Sequence, residues 1–310
     1  MRYLFIDFET FSETDIKTAG NYKYCEDPNF EILLCGFDTD TKVSILDLSV
    51  TQELQAFHDL FRSVSTNTDI TIVAHNANFE RICLKEYGYE IDPLRFFCTA
   101  NMSLYCGMPP SLDAVSKILD LQDKKLGTGK NLIRYFSVPC KPTKTNGMRT
   151  RNFPRHDPEG WEEFKEYLKY DVLSEREIFN KLSRFEFPLS EQRIYAADQR
   201  INDYGIKADL QLARAAQGMD EQYKDRLAQT ALDKYGIESL KSMPQLKKFI
   251  YDRTGVIVPS LNKSKIEDVI NEIRASETAT NEDKQAVLDV IDLCKEVGKT
   301  SNAKYTAILA

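Results

Sequence analysis

Asp7 and Glu9 stand two residues apart at the end of the apolar run Tyr-Leu-Phe-Ile. In a strand, residues two apart share a face, so both carboxylates point the same way. Two like charges buried on a central strand are costly unless something positive joins them, and a divalent cation would serve. A second acid, Glu80, falls one turn into the helix expected after Ala74-His75-Asn76-Ala77-Asn78-Phe79. Asp171 follows Tyr167 by four residues, which puts acid and phenol on one helix face. Taken singly, each group has an ordinary explanation: solvated acids at a strand end, a first-turn Glu favouring the helix dipole, or a Tyr at the core edge above a surface Asp. Taken together, four carboxylates with no His or Cys among them are the hard-oxygen set that Mg²⁺ or Mn²⁺ accepts.

The elements that must position these acids are legible in outline. Residues 3–9 read as a strand. Residues 31–37 and 43–48 read as two more, close enough in sequence for an antiparallel meander with the first. A helix is expected over 52–62 and a short buried strand over 70–74. Asn76 and Asn78 offer capping side chains for the helix that carries Phe79, Glu80, Ile82 and Leu84. Another short helix is expected over 111–119. Residues 124–155 contain Pro139, Pro142 and Pro154 and read mostly as loop. Asp157 as N-cap and Pro158 in the first turn then start a long helix. It runs to about residue 185, with Trp161, Phe164 and Leu168 anchoring it to the core. Pro188 marks the expected boundary between a mixed α/β domain over 1–187 and a smaller helical domain over 188–310. In the second domain 190–204 and 208–234 have helical periodicity. Ser242 with Gln245, and Ser264 with Glu267, fit capping boxes, and a further helix runs through Val287, Val290 and Leu293.

The 310-residue chain carries a net charge of −7, but the charge is segregated. From 124 to 155 there is no acid and there are nine cations: Lys124, Lys125, Lys130, Arg134, Lys141, Lys144, Arg149, Arg151 and Arg155. Such a block on an acidic protein is the footprint of a phosphate-binding surface, the plain alternative being a solvated basic loop. Tyr135, Phe136 and Phe153 within it could stack on bases, with core packing the expected role of at least one. Gly127-Thr-Gly129-Lys130 is not a P-loop, since Lys124 stands where its first Gly is needed and Asn131 where Ser or Thr should follow. Seven cysteines without a C-x-x-C, and only three histidines, exclude a zinc site and fit free thiols in a reducing cytoplasm. No run approaches the ~20 apolar residues of a membrane span, and acids occupy the N-terminus where a signal peptide needs an apolar stretch. A cytoplasmic protein without a membrane partner is expected.

In order along the chain, Asp7 with Glu9, Asn76 with Glu80, and Tyr167 with Asp171 resemble the three motifs of the DEDD superfamily of 3′–5′ proofreading exonucleases, in its tyrosine branch. The opening Asp7-Phe-Glu9-Thr-Phe-Ser, the segment Asn21-Tyr-Lys-Tyr and residues 190–209 resemble phage-type family A DNA polymerases. The resemblance covers nearly the whole chain. It implies a ribonuclease-H-like mixed sheet flanked by helices, followed by a helical domain similar to an incomplete polymerase thumb. It also implies removal of nucleotides, as nucleoside 5′-monophosphates, from a single-stranded or frayed DNA 3′ end with two divalent cations, Mg²⁺ or Mn²⁺. In that scheme Asp7 bridges both ions, Glu9 and Asp171 hold one, Glu80 supports the other, and Tyr167 with Glu9 orients the attacking water. Asn76, Phe79, Lys124, Lys125, Lys130, Lys141, Lys144, Arg149 and Arg151 are the expected DNA contacts. One departure stands out: the usual second-motif acid is Asp, and Glu80 is one methylene longer, so its contact to an ion is direct or through water.

Other functions share these motifs. A ribonuclease of the same fold would carry the same acids, because nothing in them separates the sugars. A site weakened by Glu80 would leave a DNA-binding or assembly module of a split polymerase. Ser301-Asn-Ala-Lys-Tyr305 resembles the approach to a polymerase palm, where the chain stops. DNA synthesis is therefore not expected from this chain alone, and a separate palm-and-fingers chain is the partner so implied.

Overall fold

The computed structural model describes residues 2–39, 42–121, 129–262 and 264–309. In the first of two compact units, Met1–Gly205, the chain runs β1 (Arg2–Phe11), α1 (Ile16–Cys25), β2 (Glu31–Asp38), β3 (Val43–Asp47), α2 (Thr51–Thr66), β4 (Ile70–Ala74), α3 (Asn78–Glu86), β5 (Phe96–Cys98), α4 (Thr99–Tyr105), α5 (Leu112–Ile118), α6 (Gly129–Phe136), α7 (Pro158–Leu182) and α8 (Leu189–Tyr204). The strands form one mixed sheet in the order β3-β2-β1-β4-β5. The meander β1-β2-β3 is antiparallel, as its short connections require, and β4 and β5 run parallel to β1. This mixed sheet flanked by helices fits the ribonuclease-H-like fold.

Period-two alternation divides β1 between two cores. Leu4, Ile6 and Phe8 join Phe57 and Phe61 of α2 on one face. Phe5 joins Val172 and Phe179 of α7 on the other. The odd-numbered face, which carries Asp7 and Glu9, is therefore the face α7 covers. α7 begins as its sequence dictates: the Asp157 side chain accepts the Gly160 N–H at 3.0 Å, and Pro158 opens the first turn. It ends at Leu182, a turn earlier than the periodicity suggests.

Several local expectations give way to tertiary structure. Asn76 and Asn78 do not cap α3. Ala77 is the N-cap residue and makes no side-chain bond, while Asn76 takes φ 73°, a left-handed conformation that Asn tolerates better than most residues. Its carbonyl accepts the Phe79 N–H at 2.9 Å. The basic stretch is not all loop, because α6 lies inside it and buries Leu132 and Phe136 against Trp161 and Phe164. α8 groups with the first unit, where Arg81 donates to both Asp203 oxygens (2.8 and 2.9 Å) and Tyr22 Oη donates to Asp203 at 2.8 Å.

The second unit, Ile206–Ala310, is helical: α9 (Leu210–Tyr235), α10 (Met243–Thr254), α11 (Ile266–Ala275), α12 (Asn281–Val297) and α13 (Ala303–Leu309). Its core includes Ile250, Val269, Ile273, Val287 and Ile291. Neither capping box forms. Ser242 is an N-cap without a side-chain bond, and Gln245 accepts from the Ser239 N–H instead. α11 starts after Lys265. No described helix is long and apolar enough to cross a membrane.

Candidate active site

Asp7 and Glu9 lie on the central strand, paired across β2 with Gly36 and Leu34. Residues directly opposite in an antiparallel pair share a face, so the missing Cβ of Gly36 is beside Asp7. A Cβ there would stand 2.7 Å from Val172 Cγ2 and 3.0 Å from Leu168 Cγ. Glycine at this point lets α7 lie close enough to bring Asp171 towards β1. The pairing register shifts just after Glu9, an irregularity of the kind that re-aims side chains at a strand end. Asp7 Oδ1 accepts the Phe8 N–H at 3.0 Å. Asp7 is half-buried and Glu9 buried.

The turn from β4 into α3 supplies the next acid. His75 is fixed on both ring nitrogens: Nε2–H donates to the Pro110 carbonyl at 2.7 Å, and Nδ1 is 2.9 Å from Thr99 Oγ1. With the turn so anchored, Glu80 in the first turn of α3 points into the protein and is only 3% exposed. Burial pushes its carboxyl well above the ordinary range, and the charge of Asp7 adds to the shift. Its Oε2 has no hydrogen-bond partner among the described residues.

α7 contributes the remainder. Tyr167 and Asp171 are both buried, on the stripe that packs inward. Burial raises the Tyr167 hydroxyl far above its usual value, reinforced by the charges of Asp171 and Glu9, by its hydrogen bond to Asp171 and by the charge of Asp7. The phenol therefore stays protonated and can orient a neighbour but not act as a base. Gly129, at the start of α6, lies against this ring. A Cβ there would stand 2.1 Å from Tyr167 Cε2.

Of the five residues expected at the centre, Tyr167 feels the charges of Asp171, Glu9 and Asp7, and Glu80 feels that of Asp7. A sixth residue, Glu175, was not anticipated. It is buried, and the charges of Asp7 and Glu80 act on it. Its signal was an acid four residues past Asp171, in the apolar stripe of α7. The donor chemistry fits hard divalent cations, all the groups being carboxylates, and buried oxygens of Glu80 and Glu175 lack partners among the described residues. Among those residues no three His, Cys, Asp or Glu are already gathered as a ligand set, so the fit rests on donor type and orphaned oxygens rather than on preset coordination distances.

Beside Glu9 opens a cleft of about 490 Å³, lined among others by Phe8, Tyr24, Phe79 and Ile133. Phe79 thus lines this cleft, and Asn76 is exposed on the adjoining turn. The cationic residues divide. Lys130, Lys141 and Lys144 are exposed. Arg149 donates to Asn152 Oδ1 (2.7 Å) and the Asn146 carbonyl (2.9 Å), holding its own loop. Arg151 is ion-paired with Glu31 and lies over the Phe11 ring, 3.9 Å from its centroid. Lys124 and Lys125 lie outside the described residues. Phe136 is a core residue and Tyr135 packs against that core, while Phe153 carries Arg151 and Arg155 on its ring.

No protein-family model matches the chain. Over 310 residues, 99% of its length, it is 43% identical to the DNA polymerase of Bacillus phage SP02, and it spans 46% of that protein. The chain is therefore related to a phage DNA polymerase, of which it corresponds to about half the length.

Proposed function

We propose that this chain is the 3′–5′ exonuclease part of a family A DNA polymerase, hydrolysing single-stranded or frayed 3′ ends to nucleoside 5′-monophosphates. The observation that carries it is electrostatic: the charges of Asp171 from α7 and of Glu9 and Asp7 from β1 act on Tyr167, and the charge of Asp7 acts on buried Glu80 of α3. The relationship to a phage DNA polymerase supports DNA as the substrate.

Asp7, Glu9, Glu80 and Asp171 would hold two Mg²⁺ or Mn²⁺ ions. Such ions, when bound, make water a stronger nucleophile and stabilise the charge of the leaving oxygen. Tyr167, held protonated and bonded to Asp171, orients the attacking water with Glu9 through its hydroxyl. The cleft between Phe8, Tyr24 and Phe79 beside Glu9 is in the size range of small-ligand sites, roughly 300–1,000 Å³. It accepts the terminal base against apolar and aromatic side chains. Lys130, Lys141 and Lys144 meet the phosphates upstream.

Incubation with 5′-labelled single-stranded DNA and a matched RNA, in Mg²⁺, Mn²⁺ or EDTA, tests this function. The expected result is a metal-dependent ladder of DNA shortening from the 3′ end, abolished in Asp7→Ala with the fold intact by circular dichroism. Intact DNA in every metal, or undiminished hydrolysis by Asp7→Ala, would refute it. Preferential loss of the RNA would make it a ribonuclease.

A further inference from the structure

Buried acids elsewhere in the first unit are matched by cations or strong donors. Asp38 is fully buried and, although its Oδ1 has no partner among the described residues, its charge is paired with Arg176 through Oδ2. Asp47 accepts from Trp161 Nε1 at 2.7 Å and lies 3.1 Å from Lys165 Nζ. Glu175 is different. It is 1% exposed, less than Glu80 at 3% or Asp171 at 5%, and the charges that act on it most strongly are those of two more acids, Asp7 and Glu80. Its carboxylate accepts the His75 backbone N–H, while Oε1 has no partner among the described residues. Tyr167, Asp171 and Glu175 follow at intervals of four and so line one face of α7.

A buried carboxylate surrounded by acids, with one oxygen anchored and the other unmatched, is costly as a packing element and well suited as a cation ligand. We propose that Glu175 is a fifth carboxylate of the cluster and helps to bind the divalent cation beside Glu80, its bond to His75 fixing the group while Oε1 is left for the ion. The proposal deepens the exonuclease assignment and rests on its premise that these acids hold divalent cations.

Calorimetric titration of the full chain with Mn²⁺ tests it, comparing wild type, the near-isosteric Glu175→Gln, the shortened acid Glu175→Asp, and Glu163→Gln on the exposed side of α7 as control. Glu175→Gln should weaken Mn²⁺ binding about tenfold or more, the range seen when supporting groups of metal sites are removed. It should also lose most of the Mn²⁺-induced rise in Tm. Glu175→Asp should be weakened too, and it keeps the test open if the amide fails to fold. Glu163→Gln should match wild type. Wild-type Mn²⁺ affinity in Glu175→Gln or Glu175→Asp overturns the proposal. DNA shortening tested in parallel separates the two claims. A Glu175-dependent Mn²⁺ site in a wild-type chain that leaves DNA intact refutes the nuclease and supports the ligand. Unchanged Mn²⁺ binding by Glu175→Gln alongside normal shortening refutes the ligand and supports the nuclease.

Discussion

Replacing Gly129 by Ala should damage hydrolysis although the methyl group touches no substrate. The added Cβ would fall 2.1, 2.6 and 2.7 Å from Cε2, Cδ2 and Cζ of Tyr167. Carbon atoms rest at about 3.5–4.0 Å, so ring and helix must separate by roughly 1.5 Å. Tyr167 is 2% exposed and packed near Phe164, with centroids 6.2 Å apart, so the ring has little free space. A displacement of about 1 Å near reacting groups is worth on the order of 10²-fold in rate, and overpacking costs about 1–3 kcal/mol of stability. In isolation a Gly→Ala change inside a helix gains about 1 kcal/mol, so both effects oppose the local trend. The assay is single-turnover hydrolysis of labelled single-stranded DNA in the wild-type and Tyr167→Ala backgrounds. Gly129→Ala should lower the rate about a hundredfold in the first and change it little in the second, where the ring is gone. An equal loss in both backgrounds, or no loss in either, would refute the steric link.

Tyr167→Phe removes the hydroxyl proposed to orient water and should lower kcat by about 10²–10³-fold, the usual loss for one preorganised donor, with KM nearly constant in steady-state assays. Neutralising Lys130, Lys141 and Lys144 together should reduce the salt slope of single-strand binding by about 2, at roughly 0.7 per phosphate contact. Arg151→Ala should instead lower Tm, because that guanidinium is occupied by Glu31 and Phe11. Without metal, Glu80 and Glu175 have folded-state pKa values raised by burial above the unfolded value. The folded chain then binds more protons, so their contribution is most favourable below about pH 4.3 and is lost as pH rises towards the folded values. Chelated wild type should therefore lose stability relative to the double variant Glu80→Gln, Glu175→Gln as pH rises above about 4.3. A difference that grows in the opposite direction would contradict the burial of these carboxyls.

How much the sequence disclosed depended on how local each cause was. The strand over 70–74 matches β4 residue for residue because a short run rich in β-branched residues has few other uses. α7 was legible from Asp157, Pro158 and its apolar stripe, and with it the placement of Tyr167 and Asp171. Gly36 and Gly129 were not legible, since nothing in a glycine's neighbours along the chain tells that a helix or a tyrosine ring will come against it. The three prolines of the basic stretch concealed α6, whose Leu132 and Phe136 are ordered by contact with Trp161 and Phe164. Asn76 and Asn78 have the composition of a cap, but the turn is dictated by the anchoring of His75, and Asn76 supplies a positive φ instead. Glu175 was visible as an acid in register with Asp171. Its significance depends on Asp7 and Glu80, which arrive from far along the chain.

That separation has a consequence for synthesis of the protein. Asp7 leaves the ribosome first, and α7 follows only after almost the whole first unit has been translated. At about 5–20 residues per second, β1 exists for roughly ten seconds or more before the helix that covers its acidic face can dock. During that interval the nascent chain carries the acids of β1 and α3 without those of α7. On the proposed function, hydrolysis is thereby withheld until the segment that completes the site has been made.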